Sequence, residues 1–273
     1  MFQIQPVTTA SNLRLGQTDR ILSGYNHRLY RQHGSYRIKV DLHTGTQQLN
    51  MKVYALTNTW WVKRAIQMAK QVHDDAMEEE RAMTSGARWY DFRIDDNTTA
   101  VSPIDNLVTA FHTAPGVVAG TATHPGEYAP SVISDAAGNL KEFRVMGATS
   151  ATGWNIFTEY DNLGNTARDP DIAIPSGAGY DGADATIDGS NIEALNNRGD
   201  LPPYSNQQFP NEVFTLVGEL YRGGATSGLQ KLSTGFFDAP LGLFWVDYGN
   251  TEQHRLQLTV APGNYKGVHM EAY

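Results

Sequence analysis

Cysteine does not occur in this chain. Its absence excludes disulfide staples, thiolate metal sites and cysteine nucleophiles. Charge is sparse as well. Only 18% of the 273 residues are charged, against 40% hydrophobic, the proportions of a globular chain and not of a disordered one. No apolar run approaches the ~18 residues of a membrane span. The opening "MFQIQPVTTASNLRLGQ" lacks the basic stretch and apolar run of a secretory signal. The expectation is a soluble protein with no membrane partner, not exported by the usual route. Catalytic signatures are missing too: there is no G-x-S-x-G elbow, H-E-x-x-H helix or P-loop. The eight histidines are scattered. The 29 acidic residues offer carboxylate pairs for glycoside hydrolysis but no spacing that selects one. The chain is expected not to be an enzyme.

What is present is strand and turn. Tyr36, Ile38, Val40 and Leu42 alternate with Arg37, Lys39 and Asp41, and Leu49, Met51, Val53 and Ala55 alternate after them. With "HTGTQ" between, the pair reads as a hairpin with a loop of about five residues. Further strand candidates lie near 88–94, 117–122, 131–135, 140–147, 154–160, 212–221, 229–237, 241–248 and 255–261, with "DAAGN" a turn and "APGNYKG" leading into a last strand, "VHMEAY". No period of 20–50 residues is seen, which disfavours solenoids and propellers. About eleven short strands at this spacing predict an all-β chain, a sandwich or barrel.

One stretch, "TNTWWVKRAIQMAKQVHDDAMEEERAM" at 57–83, is strongly helical. Asn58 or Thr59 can cap it, Val62, Ala65, Ile66, Ala69, Val72 and Ala76 form its apolar stripe, and Gly86 is a plausible stop. A long helix at about 59–83 follows. Its charges run against its dipole. Lys63 and Arg64 lie in the first turn and Glu78, Glu79 and Glu80 near the end, each such placement costing about 0.3–1 kcal/mol where poorly screened. Trp60 and Trp61 are adjacent and cannot both enter one core stripe. These seven residues are the candidates for contact with a neighbouring subunit.

Charge is also uneven along the chain. Residues 1–40 carry Arg14, Arg20, Arg28, Arg31, Arg37 and Lys39 against Asp19 alone, a balance of +5, which leaves −13 of the net −8 to the remainder. Those six cations are candidate contacts for an anionic partner such as nucleic acid. Residues 161–211 are rich in Gly, Pro, Asp and Asn, with eight acids against Arg168 and Arg198. Within them Asp181, Asp184 and Asp188 sit among glycines. Oxygen-rich loops of this kind can hold calcium, although Asp and Gly also simply make turns and the EF-hand spacing is absent. The expectation is a chain without a cofactor, these three aspartates being the calcium candidates.

"VYALTNTWWVKRAIQMAK", "RWYDFRID" and "LQLTVAPGNYKGVHMEAY" resemble the single jelly-roll capsid proteins of small icosahedral viruses, most of all those of circular single-stranded DNA viruses. The resemblance implies an antiparallel β-sandwich, the viral jelly roll. In such proteins a helix is commonly inserted after the second or third strand, near neighbouring subunits. It implies a basic segment at 1–35, a single jelly-roll domain over 36–273 and an acidic surface excursion at 161–211 open to a host receptor. It implies a major capsid protein that assembles with itself inside the host cell into a virion shell around genomic nucleic acid, single-stranded DNA in the proteins it resembles. Such proteins often begin with a dense Arg/Lys arm, whereas here the first 13 residues carry no charged side chain. The rival reading is a β-sandwich module that binds carbohydrate or a receptor through its aromatics and acidic loops.

Overall fold

The computed structural model describes residues 2–4, 13–44, 49–78, 91–95, 130–134, 137–147, 153–160, 213–222, 230–248 and 254–273. The described residues are mostly strand, with few helices and largely antiparallel sheets. Two sheets carry the architecture. The first contains β1 (Phe2–Ile4), β11 (His254–Val260), β3 (Gly34–Thr44) and β9 (Gln230–Pro240), joined in that order, with β14 (Met270–Ala272) continuing the β11 side of β3. The second has the order β2 (Leu13–Gln17), β10 (Leu243–Tyr248), β4 (Leu49–Leu56), β8 (Phe214–Arg222). Every pairing in both sheets is antiparallel.

The alternation seen in the sequence places the core. Tyr36, Ile38, Val40 and Leu42 of β3 and Met51 and Val53 of β4 are buried together with Phe244, Val246 and Leu256. The first two segments therefore do not form the expected hairpin. β3 and β4 lie in different sheets, facing each other across this core. The physical reason is that each has one apolar face, and stacking the two faces buries both, which edge-to-edge pairing cannot do. A bulge on β9 interrupts the β3–β9 ladder between Lys39 and Asp41. There the Thr234 hydroxyl accepts from the Val40 amide at 3.2 Å, and Gly235 takes the left-handed φ of 74°.

Within the second sheet, the central strand β10 is buried on both faces. Phe244 and Val246 of β10 face the first core, while Leu243 and Trp245 face a second one with Leu15, Leu56, Trp61, Val62 and Phe143. This explains why "LFWVDY" shows little alternation. Gly16 is where β2 crosses the Phe244 ring, and any Cβ there would collide with it. The outer layer over this sheet is α2 (Trp60–Ala76) together with a small sheet of β5 (Val132–Ser134), β6 (Leu140–Arg144) and β7 (Gly153–Asn155), in which β6 and β7 run parallel.

The helix expected at about 59–83 is α2, which ends at Ala76; residues 79–83 of the expected span lie outside the described residues. Thr59 caps it, its hydroxyl accepting from the Val62 amide at 3.4 Å. Asp74 and Asp75 bring negative charge to the carbonyl end, which disfavours extension. Ala76 is exposed, and His73 is buried in the stripe instead, between Phe92 and Phe143. A second helix, α1 (Thr18–Asn26), was not expected. Its "TDRILSGYN" is short and poor in strong helix formers. It stops at His27, in the left-handed region at φ 48°. The strand expected at 154–160 turns helical after Asn155, whose side-chain carbonyl accepts from the amides of Phe157 (3.0 Å) and Thr158 (3.3 Å), an N-cap in mid-segment. Of 88–94, the described part, 91–94, is irregular, and the one bridge there, Asp95 to Arg144, follows it. The strand expected at 117–122 and the excursion 161–211 lie outside the described residues. Among the described residues no helix is long and apolar enough to cross a membrane.

Candidate nucleic-acid interface

The candidate cations fall into separate places. Arg14 lies in β2 opposite Val246, and Arg20 is half-buried on α1. Arg37 and Lys39 stand on the outer face of β3, register partners of Asp238 and Phe236 on β9. Lys39 is engaged locally. Its ammonium lies 3.2 Å from Asp41 and 5.6 Å above the Phe236 ring. Lys231 reaches the same Asp41 oxygen at 3.0 Å. Burial alone would raise the Asp41 carboxyl, but hydrogen bonds from Ser233, Lys231 and Lys39 hold it below its ordinary value of 3.8.

A depressed carboxylate stabilises the fold above its unfolded value and loses that contribution as pH falls through its folded one. Asp41→Asn is therefore expected to cost about 2 kcal/mol at pH 7. The difference from the parent protein should shrink as the pH falls below about 3.8. Urea midpoints at pH 7 and pH 3 check this. An equal difference at both values would remove the charge from the explanation.

Arg28 and Arg31 are brought together, at the end of the molecule where the turn after α1 meets the excursion 262–268. That excursion leaves the first sheet at Ala261, whose amide donates to the Arg37 carbonyl at 2.8 Å, and returns at His269, whose amide donates to the Ala261 carbonyl at 2.7 Å. Between them β12 (Pro262–Gly263) and β13 (Gly267–Val268) pair. Lys266 and Gly267, at φ 51° and 91°, make the turn. Three tyrosines weld it down. The Tyr30 hydroxyl donates to the Lys266 carbonyl (3.1 Å), the Arg31 amide donates to the Tyr265 hydroxyl (3.2 Å), and the Tyr36 hydroxyl donates to the Arg31 carbonyl (2.6 Å).

The weld aims a third cation at the two arginines. The Lys266 ammonium bonds to the Leu29 carbonyl and lies 5.7 Å from the Tyr30 ring and 5.3 Å from the Tyr265 ring. Burial, followed by the charges of Arg28 and Arg31, pushes it below the ordinary lysine value, with Asp91 working the other way. Burial and Arg31 likewise lower His33, which stands edge-on to Tyr265 at 5.0 Å. Arg31 is half in solvent and pairs with Asp91 at 2.9 Å. Arg28 is exposed. Three crowded cations beside aromatic rings favour an anion such as a backbone phosphate. Lys266 was missed because its sequence context, "APGNYKG", signals only a turn. Nothing local ties it to residues more than 230 positions earlier.

The other candidates divide likewise. Trp61 is buried, its ring stacked on Phe157 at 5.9 Å and edge-on to Tyr160 at 5.7 Å, whereas Trp60 is 45% exposed. Lys63 is half-buried, and Arg64 and Glu78 are exposed. Glu79, Glu80, Asp181, Asp184 and Asp188 lie outside the described residues. Among the described residues no three His, Asp or Glu side chains group as metal ligands. No family model matches the chain, and the searches of curated proteins and of solved structures returned no significant match.

Proposed function

We propose that this chain is a capsid protein, a single jelly roll that assembles with further copies into a closed icosahedral shell around nucleic acid. The observation that carries the reading is the strand order. β1 pairs with β11, β2 with β10, β3 with β9 and β4 with β8, alternating between the two sheets. This is a ribbon of four antiparallel pairs wound over one core, first strand against eighth and fourth against fifth once the inserted layer and the short strands β12–β14 are left out. Winding such a ribbon produces the two Greek keys of a jelly roll. The basic end of the molecule supports the second half of the reading, since packaging needs phosphate contacts and no base readout.

Purified protein viewed by negative-stain microscopy is expected to form uniform closed particles with raised absorbance at 260 nm. Absence of particles across a range of salt and pH would overturn the shell. The phosphate role has its own test. Changing Arg28, Arg31 and Lys266 together to Ala should weaken single-stranded DNA binding and lower the slope of log K against log salt by about 2, at ~0.7 per phosphate contact on a single strand. An unchanged slope would remove these three from the interface.

A further inference from the structure

α2 shows solvent a face with an unusual charge order. Trp60, Arg64, Gln67, Gln71 and Asp75 recur at three- and four-residue spacing and are all exposed, with Met68 beside them. The first turn holds Lys63 and Arg64 and no acid, while the end holds Asp74 and Asp75, with His73 as its basic residue. Both ends oppose the helix's own dipole; Asp74 is held within the chain by Lys70 at 2.8 Å and His73 at 3.3 Å, whereas Arg64 and Asp75 are exposed.

A second copy resolves both ends at once. Two exposed pairs straddle the middle of the helix: Gln67 and Gln71 about Ala69, and Arg64 and Asp75 about the Ala69–Lys70 bond. We infer that α2 packs antiparallel against α2 of a second copy, about a two-fold axis beside Gln67 and Gln71, with Arg64 of each chain against Asp75 of the other. The two-fold repeats the contact at both ends, as an isologous interface must. It also sets each basic N-terminus against the other helix's C-terminus. A parallel arrangement would stack Arg64 on Arg64 and Asp75 on Asp75, so the charges select direction as well as partner. At 1.5 Å per residue the helix is ~26 Å long. One such face per copy is small for a stable dimer. The contact therefore works alongside others, and in that respect it rests on the shell reading.

The cysteine-free chain makes a weak contact measurable. Gln67→Cys protein mixed with Gln71→Cys protein should cross-link rapidly under mild oxidation, while Trp60→Cys alone should not. Adding Arg64→Glu to both cysteine proteins should cut the cross-linking rate about tenfold or more, and so should adding Asp75→Arg to both, because like charges then face at each end. Mixing an Arg64→Glu protein with an Asp75→Arg protein, one carrying each cysteine, should restore the rate to within about threefold of the parent pair, since every facing pair is again opposite in sign. Cross-linking that ignores both charge reversals, or that is as fast for Trp60→Cys alone, would overturn the antiparallel contact. Particles formed by Arg64→Glu protein as readily as by the parent would also overturn it while leaving the shell standing.

Discussion

Replacing Arg93 with methionine is expected to cost about 3–5 kcal/mol, the largest loss available from a single polar side chain here. Arg93 and Asp19 form an ion pair at 2.8 Å with both side chains almost wholly buried. Burial pushes the Asp19 carboxyl above its ordinary value, and Arg93 is the principal group opposing that. Removing the guanidinium strands a carboxylate in the interior. The pair also sits at a junction. Residues 91–95 bring the small sheet to the main body: the Arg93 amide donates to the Ser131 hydroxyl (2.9 Å), the Ile94 amide to the Gln32 side-chain carbonyl (2.9 Å), and the Gln17 amide group to Asp95 (3.2 Å). The loss would take a large part of the ~5–15 kcal/mol that holds a domain folded. Changing Asp19 to Leu in the same protein should recover much of it, because no charge is then left without a counterion. Urea midpoints of the two single variants and the double variant check this. A double variant as unstable as the sum of the singles would show that Arg93 acts through its other contacts and not through Asp19.

The same pair illustrates what local sequence conceals. "RIKVDL" announces its face, because one side of β3 meets the core and the other meets solvent, so period two survives in the residues. β10 has no solvent face to announce, and its sequence records burial without direction. β1 and β2 were passed over because "FQI" and "LRLGQ" are short and acquire partners only some 230–250 residues later, at Leu256 and Val246. Strand order is set by those distant pairings, which periodicity cannot express. The basic end follows the same rule. Arg28 and Arg31 were visible as charge, but their third member, Lys266, arrives by way of the tyrosine weld. α2 lies at the other extreme. Its cap, its stripe and the reversed charges at its start were all legible, since a helix is built from neighbours. α2 itself stops at Ala76, where two aspartates weaken its carbonyl end.

Trp61→Ala is expected to cost about 3–5 kcal/mol, whereas Trp60→Ala should stay within about 0.5 kcal/mol of the parent. The two indoles are neighbours in sequence and opposite in circumstance. Trp61 is 4% exposed, stacked on Phe157 and edge-on to Tyr160, so its removal opens a cavity between α2 and the helical turn after β7. Val62, Ala65 and Ile66 are too small to fill it and are already committed to the second core. Trp60 meets solvent, and its truncation leaves no void in the single chain. Thermal unfolding of the two variants separates the roles, and equal losses would show that Trp60 also supports the fold. The contrast extends to assembly. If α2 is a contact surface between copies, Trp61→Ala weakens that contact indirectly, by loosening the helix that presents Arg64 and Asp75. Trp60→Ala weakens it directly with the fold intact. Trp61→Phe keeps a ring against Phe157 and should sit between the parent and the alanine variant in stability, and with it in cross-linking between copies. A Trp61→Phe protein that recovers stability without recovering cross-linking would separate the anchoring of α2 from the shape of the face it offers.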